Sequence, residues 1–150
     1  MREVAGFALA ATVLAASSSI GEETGRFVAA GDAIIEPLAD AAGDPERGAA
    51  LMSDRQRSLC TLCHSGPFPD PHLHGTLAPD LADVGARFSE GQLRLRVADM
   101  KRLAPNTIMP SYYRIAERES GRVAAGWRGK PILTGADIED IVAYLATLKG

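Results

Sequence analysis

Hydrophobic residues recur at helical spacing in three stretches of the chain, and little of it alternates as a β-strand does. The first predicted helix begins at Asp44, an N-cap residue followed by a proline at the first helical position. A capping box at Ser89 and Gln92 predicts a second helix, whose apolar stripe includes Met100. The third begins after Thr134 and carries four aliphatic residues on one face, namely Ile138, Ile141, Val142 and Leu145. The pattern therefore predicts an all-α fold.

The N-terminus has the features of an export signal. Arg2 precedes a run of about 13 apolar or small residues, 4–16, which passes into three serines. We predict a signal peptide over residues 1–19 that is cleaved on export to the periplasm. The run is shorter than the ~20 residues of a transmembrane helix, so no membrane anchor is expected. Residues 20–42 are either an arm that packs on a partner or a frayed leader, and residues 43–150 form one domain.

The charge balance argues against two classes of partner. The 150 residues include 16 Lys/Arg and 19 Asp/Glu, a formal net charge of −3. No strong field therefore favours nucleic acid or an anionic membrane. The balance is uneven, because residues 85–130 hold ten Lys/Arg and only four Asp/Glu. This stretch is either a solvated surface or a face that docks a partner or steers anions.

Both cysteines of the chain lie in residues 60–64, CTLCH. In an oxidising compartment such a pair normally forms a disulfide or binds a metal. A thioredoxin-like redox pair needs a βαβ context, which the sequence does not offer. Zinc held by the cysteines with His72 and His74 is a second possibility, but those histidines are closer together than the usual three to five residues. Neither interpretation explains the histidine directly after the second cysteine.

Attachment of a c-type haem does explain that histidine. Two thiols at this spacing reach the two vinyl groups of one porphyrin edge, and the adjacent imidazole is carried under the iron. We therefore predict one covalently bound haem c, attached through Cys60 and Cys63, with His64 as the proximal iron ligand.

A second axial ligand is then expected, and the candidates are the histidines and methionines Met52, Met100, Met109, His72 and His74. Met52 and Met100 lie on predicted helices, where core packing is expected. His72 and His74 lie in a stretch dense in turn formers and are expected at the surface. Met109 lies between Pro105 and Pro110, in a loop that cannot be a regular helix. We predict Met109 as the distal ligand, which raises the potential and favours electron transfer over chemistry at the iron.

The chain resembles SoxX, the small monohaem subunit of the SoxAX cytochrome of bacterial sulfur oxidation, over about residues 43–149. The resemblance is carried by five blocks in order: LCTLCHSGPF (59–68), APDLADVGAR (78–87), EGQLRLRVADMK (90–101), TIMPSYYR (107–114) and WRGKPIL (127–133). It implies a class I cytochrome c fold, with helices wrapped around one haem and long irregular loops. In that fold Gly48 would let the terminal helices cross closely against Tyr144.

The resemblance also implies a function. SoxAX joins thiosulfate oxidatively to a cysteine of the carrier SoxYZ, so the chain would be the electron-transfer subunit of a cysteine S-thiosulfotransferase. The bond-making chemistry would belong to the partner SoxA, with no catalytic residue in this chain. Electrons would pass through this haem to a small soluble cytochrome. Pro79 would accept a hydrogen bond from the proximal imidazole, and Arg87 would pair with a haem propionate.

Two other functions remain open at the level of sequence. A free-standing periplasmic cytochrome c shuttle shares every haem residue with the SoxAX subunit and differs only in lacking a stable partner. A zinc or disulfide module without a redox role is the more remote alternative.

Overall fold

The computed structural model describes residues 25–115 and 124–150. Within them lie four α-helices: α1 (Pro45–Ser53), α2 (Val84–Arg87), α3 (Glu90–Asp99) and α4 (Gly135–Thr147). Short 3₁₀ turns occupy Cys60–Leu62, Pro71–Leu73, Met100–Arg102 and Ala125–Trp127. The β-type pairing in these ranges is one isolated bridge between Ala30 and Ala33. The predicted all-helical character is confirmed for this part of the chain.

The helix-start signals read from the sequence are present as hydrogen bonds. The Asp44 side chain accepts from two backbone N–H groups in the first turn of α1. Ser89 and Thr134 each begin a helix with a complete capping box, at α3 and α4. These caps satisfy N–H groups that a helix start leaves without partners, which is why they set the helix boundaries.

The first and last helices cross in direct backbone contact. A Cβ atom added at Gly48 of α1 would lie 2.0 Å from the Asp140 carbonyl oxygen and 2.9 Å from Tyr144 Cβ on α4. The role expected for Gly48 is thus confirmed. Next to the contact, Arg47 donates to both carboxylate oxygens of Asp140 at 2.8 Å, and the Asp44 N–H donates to the same carboxylate at 2.7 Å.

The Asp140 contact predicts an acid-sensitive crossing. Burial raises the pKa of Asp140, but the hydrogen bonds from Arg47 and the Asp44 N–H outweigh it and hold the pKa below its ordinary value of 3.8. The carboxylate's contribution is therefore complete above about pH 4 and is lost as the pH falls through the lower folded-state value. We expect Asp140→Asn to lower the Tm at pH 7 by a few degrees and to flatten its acid decline. Calorimetry at pH 7 and pH 3 tests this, and parallel pH curves would contradict it.

The core lies among α1, α3 and α4. Large side chains buried there from α3 and α4 include Leu93, Leu95, Ile138 and Ile141. Tyr112, Tyr113 and Leu133, from the irregular segments, are also buried in it. Their burial fixes the end of the Met109 loop to the helical core.

The inner part of the predicted arm packs on the chain's own domain. Ile34 is 1% exposed, and its N–H donates to the Gly91 carbonyl. The buried pair of Arg94 and Glu139 holds the same segment, because Arg94 also donates to the Ile34 carbonyl and Glu139 accepts from the Leu38 N–H. Apolar side chains that face solvent remain at Val28 and Ile35. Packing of the arm on a partner stays a prediction.

Much of the basic stretch is engaged in ion pairs. Basic residues of this stretch contact carboxylates in the pairs Arg87–Asp83, Arg94–Glu139, Arg96–Asp32 and Arg114–Asp99. Two more, Arg118 and Arg122, lie outside the described residues. These pairs favour the interpretation of this stretch as ordinary structure over an anion-steering face.

The predicted signal peptide also lies outside the described residues, which begin at residue 25. Across the ranges that are described, no helix is both long enough and apolar enough to cross a membrane.

Candidate functional site

The CTLCH segment forms one tight turn. Leu59 has a positive φ of 61°, so the chain reverses sharply before the 3₁₀ turn Cys60–Leu62. The Cys60 carbonyl then accepts from the N–H groups of Cys63 and His64, at 3.1 and 2.9 Å. Both cysteines are half-buried free thiols. The turn therefore brings two thiols and an imidazole together on one short piece of backbone.

The competing interpretations of the cysteines are not supported by this geometry. The thiols are not joined to each other. No group of three or more potential metal-binding His, Cys, Asp or Glu residues occurs in the described parts of the chain. His72 is exposed, and His74 Nε2 lies 2.8 Å from the Pro69 carbonyl while its ring packs edge-on against Phe68. Nε2 of His74, bonded to a carbonyl, is not free to bind zinc or iron, which leaves Nδ1 as the only nitrogen of that ring that could act as a ligand.

The imidazole of His64 is held by a single carbonyl. Its Nδ1 lies 2.7 Å from the Pro79 carbonyl oxygen. Because a carbonyl only accepts, Nδ1 carries the proton, and Nε2 presents its lone pair as a metal ligand. The two residues in this contact, His64 and Pro79, are the pair that the resemblance implies. It fixes the tautomer and ring orientation that an iron ligand needs.

The segment that carries Pro79 is hydrogen-bonded along the CTLCH turn. Backbone N–H groups of Gly75, Ala78 and Leu81 donate to carbonyls of the turn and of Ser65, at 2.9 to 3.0 Å. A Cβ at Gly75 would lie 2.0 Å from the Leu62 carbonyl oxygen, so the two segments are in backbone contact. The Pro79 carbonyl is thus placed by several bonds on both sides of it.

Sequence reasoning missed a side-chain contact beside this one. The Ser65 hydroxyl donates to Asp80 Oδ2 at 2.6 Å, one residue beyond each partner of the His64–Pro79 bond. The Ser65 hydrogen bond, helped by the Ala82 N–H and the charge of Arg87, lowers the pKa of Asp80. Two residues that are 15 positions apart in loops leave no periodic signal, so only the folded chain reveals them.

Arg87 is tied to the same loop. Its Nε donates to Asp83 at 2.9 Å, and its Nη2 donates to the Asp80 carbonyl at 3.2 Å. These bonds place Arg87 close to the Pro79 segment, and its pairing with a propionate stays a prediction.

Tyr112 joins the Met109 loop to the cysteine turn. Its hydroxyl donates to the Ser58 carbonyl, two residues before Cys60. The Ser58 hydroxyl in turn donates to the Leu51 carbonyl at 2.6 Å. Burial raises the pKa values of the Tyr112 phenol and of the Cys60 thiol, so both groups are neutral at pH 7. The two segments predicted to supply axial ligands are therefore bound to each other.

The methionine candidates have different environments. Met52 is 2% exposed in the core, as expected. Met109 is half-buried against the core, and its N–H donates to Thr107 Oγ1 at 3.2 Å. The core position expected for Met100 is wrong. Because α3 ends at Asp99, whose ψ of 77° leaves the helical region, Met100 lies in the following 3₁₀ turn and is only half-buried.

The chemistry of these donors fits a haem. Two free thiols, an imidazole with an available Nε2 and a loop thioether are the groups that such a cofactor takes from a protein. Large apolar side chains beside them are exposed, namely Leu59, Leu62, Leu77 and Ile108. Such a surface suits a large apolar ring better than a small polar ligand.

Comparisons with known proteins find a strong likeness among solved structures. No protein-family model and no curated protein matches the sequence. The crystal structure of SoxXA from P. pantotrophus matches with a TM-score of 0.74 and 36% sequence identity, over 83% of this chain and 95% of that chain. Together with the helical architecture, this likeness confirms the predicted all-α fold of the class I cytochrome c type.

Proposed function

This chain belongs to the SoxX family, and on that premise we propose that it is the electron-transfer cytochrome c subunit of a SoxAX complex. One haem c would be attached through Cys60 and Cys63, with His64 and Met109 as axial ligands. When bound, the haem supplies a reversible one-electron couple. The observation that carries the proposal is the bond between His64 Nδ1 and the Pro79 carbonyl, because it prepares Nε2 for a metal.

The residues of this chain would tune and hold the cofactor. Pro79 fixes the His64 tautomer, and Ser65 and Asp80 brace the segment that does so. Arg87 is the candidate partner for a propionate. A thioether at the sixth position favours the reduced state and leaves no open coordination site for substrate.

Thiosulfate chemistry would then belong to the partner. Both cysteines of this chain are committed to the cofactor, so no thiol remains to accept a sulfur group. A SoxA-like cytochrome would perform the oxidative coupling of thiosulfate to a cysteine of SoxYZ. This chain would take the two released electrons one at a time and pass them to a small soluble cytochrome in the periplasm.

The test is gentle isolation of the protein from its native periplasm, followed by a denaturing gel stained for covalent haem. We expect two stained bands, one at this chain's size and one from a larger partner at fixed stoichiometry. A single band at this size would leave a free-standing electron shuttle. A band that lacks stain would contradict haem binding altogether.

Two variants serve as matched controls for the haem stain on the same gel. Cys60→Ser combined with Cys63→Ser should remove the stain from this chain, because no thioether remains. His72→Ala should keep it, since His72 is an exposed loop residue.

A further inference from the structure

The Met109 loop is bound to the end of α3 by one buried carboxylate. Asp99, the last residue of α3, is 3% exposed. Its Oδ1 accepts from the Ser111 hydroxyl at 2.5 Å, and its Oδ2 lies 2.6 Å from Arg114 Nε. The Nε–H is not aimed at that oxygen, so this second contact is mainly electrostatic. Both partners follow Met109 within five residues.

A carboxylate in this position is costly unless it is paired. Burial of an ionised group is unfavourable, and hydrogen bonds and an opposite charge must offset it. Asp99 finds these partners in the Met109 loop. If the loop moved away, the buried Asp99 carboxylate would lose both partners. The loop therefore strongly favours the conformation in which Ser111 and Arg114 contact Asp99.

The end of α3 that carries Asp99 is firmly packed in the core. The residues just before Asp99 are buried, with Leu95 and Ala98 at 0% exposure. The Ala98 carbonyl also accepts from the N–H groups of Tyr113 and Arg114, at 3.1 and 3.4 Å. The carboxylate and the backbone thus hold the same stretch of loop against a fixed helix end.

The other side of Met109 is held more lightly. The Met109 N–H bonds to Thr107 Oγ1, and the Thr107 N–H bonds to the Ala104 carbonyl. These are local contacts within the loop. The charged attachment through Asp99 lies on the C-terminal side of Met109, at Ser111 and Arg114.

We infer that Asp99 is a positioning residue for the axial thioether: through Ser111 and Arg114 it keeps Met109 in the place from which its sulfur binds iron. The inference rests on the proposed function, in which Met109 is the distal ligand. The role is indirect, because the Asp99 carboxylate contacts Ser111 and Arg114 and Met109 supplies the ligand atom. Asp99 acts by favouring the loop conformer with the sulfur in position over conformers with the sulfur displaced.

Imidazole binding to the ferric, haem-loaded protein measures that conformer balance. Added imidazole takes the sixth position only when the thioether has left it, so its apparent Kd reports the fraction of displaced loop. We expect Asp99→Asn to lower this Kd about tenfold, in line with other residues that orient metal ligands indirectly. The sulfur-to-iron absorption band should weaken in parallel.

Asp140→Asn is the matched control. Asp140 is also a buried aspartate on a helix paired with an arginine, but it lies at the crossing of α1 and α4. Both variants should lower the Tm, while only Asp99→Asn should change the imidazole Kd. An unchanged Kd in Asp99→Asn, or an equal change in both variants, would overturn the inference.

Ser111→Ala provides a second variant if Asp99→Asn does not fold. It removes one of the two contacts and leaves the carboxylate paired with Arg114. A Kd lowered in the same direction, by less than in Asp99→Asn, supports the inference, and an unchanged Kd overturns it. Met109→Ala distinguishes an error in the ligand assignment from an error in the inference about Asp99. If that variant keeps the band, the ligand assignment and the inference fall together, whereas loss of the band with no effect of Asp99→Asn removes the inference alone.

Discussion

Replacing Met109 with alanine is expected to abolish the long-wavelength sulfur-to-iron band of the ferric, haem-loaded protein. Alanine offers no donor atom in place of the thioether sulfur. The reduction potential should fall as well, since a thioether stabilises the ferrous state relative to the nitrogen or oxygen ligands that would replace it. Absorption spectroscopy and a redox titration measure both effects.

Met100→Ala is the control for that result. Met100 lies in the 3₁₀ turn after α3 and is half-buried, so it is the other methionine outside the core among the described residues. It should keep the band and the potential. Loss of the band in Met100→Ala, with retention in Met109→Ala, would exchange the two assignments.

Local signals in the sequence predicted much of the fold. Asp44, Ser89 and Thr134 start helices by capping, which depends on neighbours within three residues and so can be read from a short window. The CTLCH turn is equally local. The close crossing at Gly48 was implied by the family resemblance and not by any pattern in the residues themselves.

The contacts that brace the site were not predictable in the same way. Ser65 meets Asp80, and Ser111 meets Asp99, across 15 and 12 residues of irregular chain. A serine or aspartate in a loop is normally a surface residue, so nothing in its local sequence distinguishes one that holds a ligand segment. The same limit explains the error at Met100, because the apolar stripe continued past the residue at which α3 ends.

These contacts join the site into one unit. Tyr112 bonds the Met109 loop to the segment before Cys60, and Asp99 bonds the same loop to α3. The Pro79 carbonyl and the Asp80 carboxylate accept hydrogen bonds from His64 and Ser65, so the segment that carries them is bonded to the end of the CTLCH turn. Each predicted iron ligand is therefore positioned by residues that are themselves fixed. Such preorganisation suits electron transfer, in which the ligands should move little between oxidation states.

The α1–α4 crossing leaves no room for an added atom, and Gly48→Ala tests it with a single methyl group. In an ordinary helix this change stabilises by about 1 kcal/mol, because alanine is the better helix former. Here the new Cβ would lie 2.0 Å from the Asp140 carbonyl oxygen, which is backbone and cannot turn away. The helices must separate, and overpacking of this kind typically costs ~1–3 kcal/mol and occasionally more. We expect a net loss of about 2 kcal/mol or more in the free energy of unfolding, measured by chemical denaturation of the haem-loaded protein.

Gly126→Ala is the same substitution at an exposed site, where a Cβ would meet no atom of the described residues within 4 Å. It should leave the stability unchanged or raise it by up to ~1 kcal/mol, because alanine restricts the unfolded chain. The two variants share their effect on the unfolded state, so the difference between them isolates the contact with α4. Equal stability of the two variants would mean that the helices can separate at no cost and that Gly48 does not set their distance. A large difference would identify this backbone contact as the feature that sets the distance between α1 and α4.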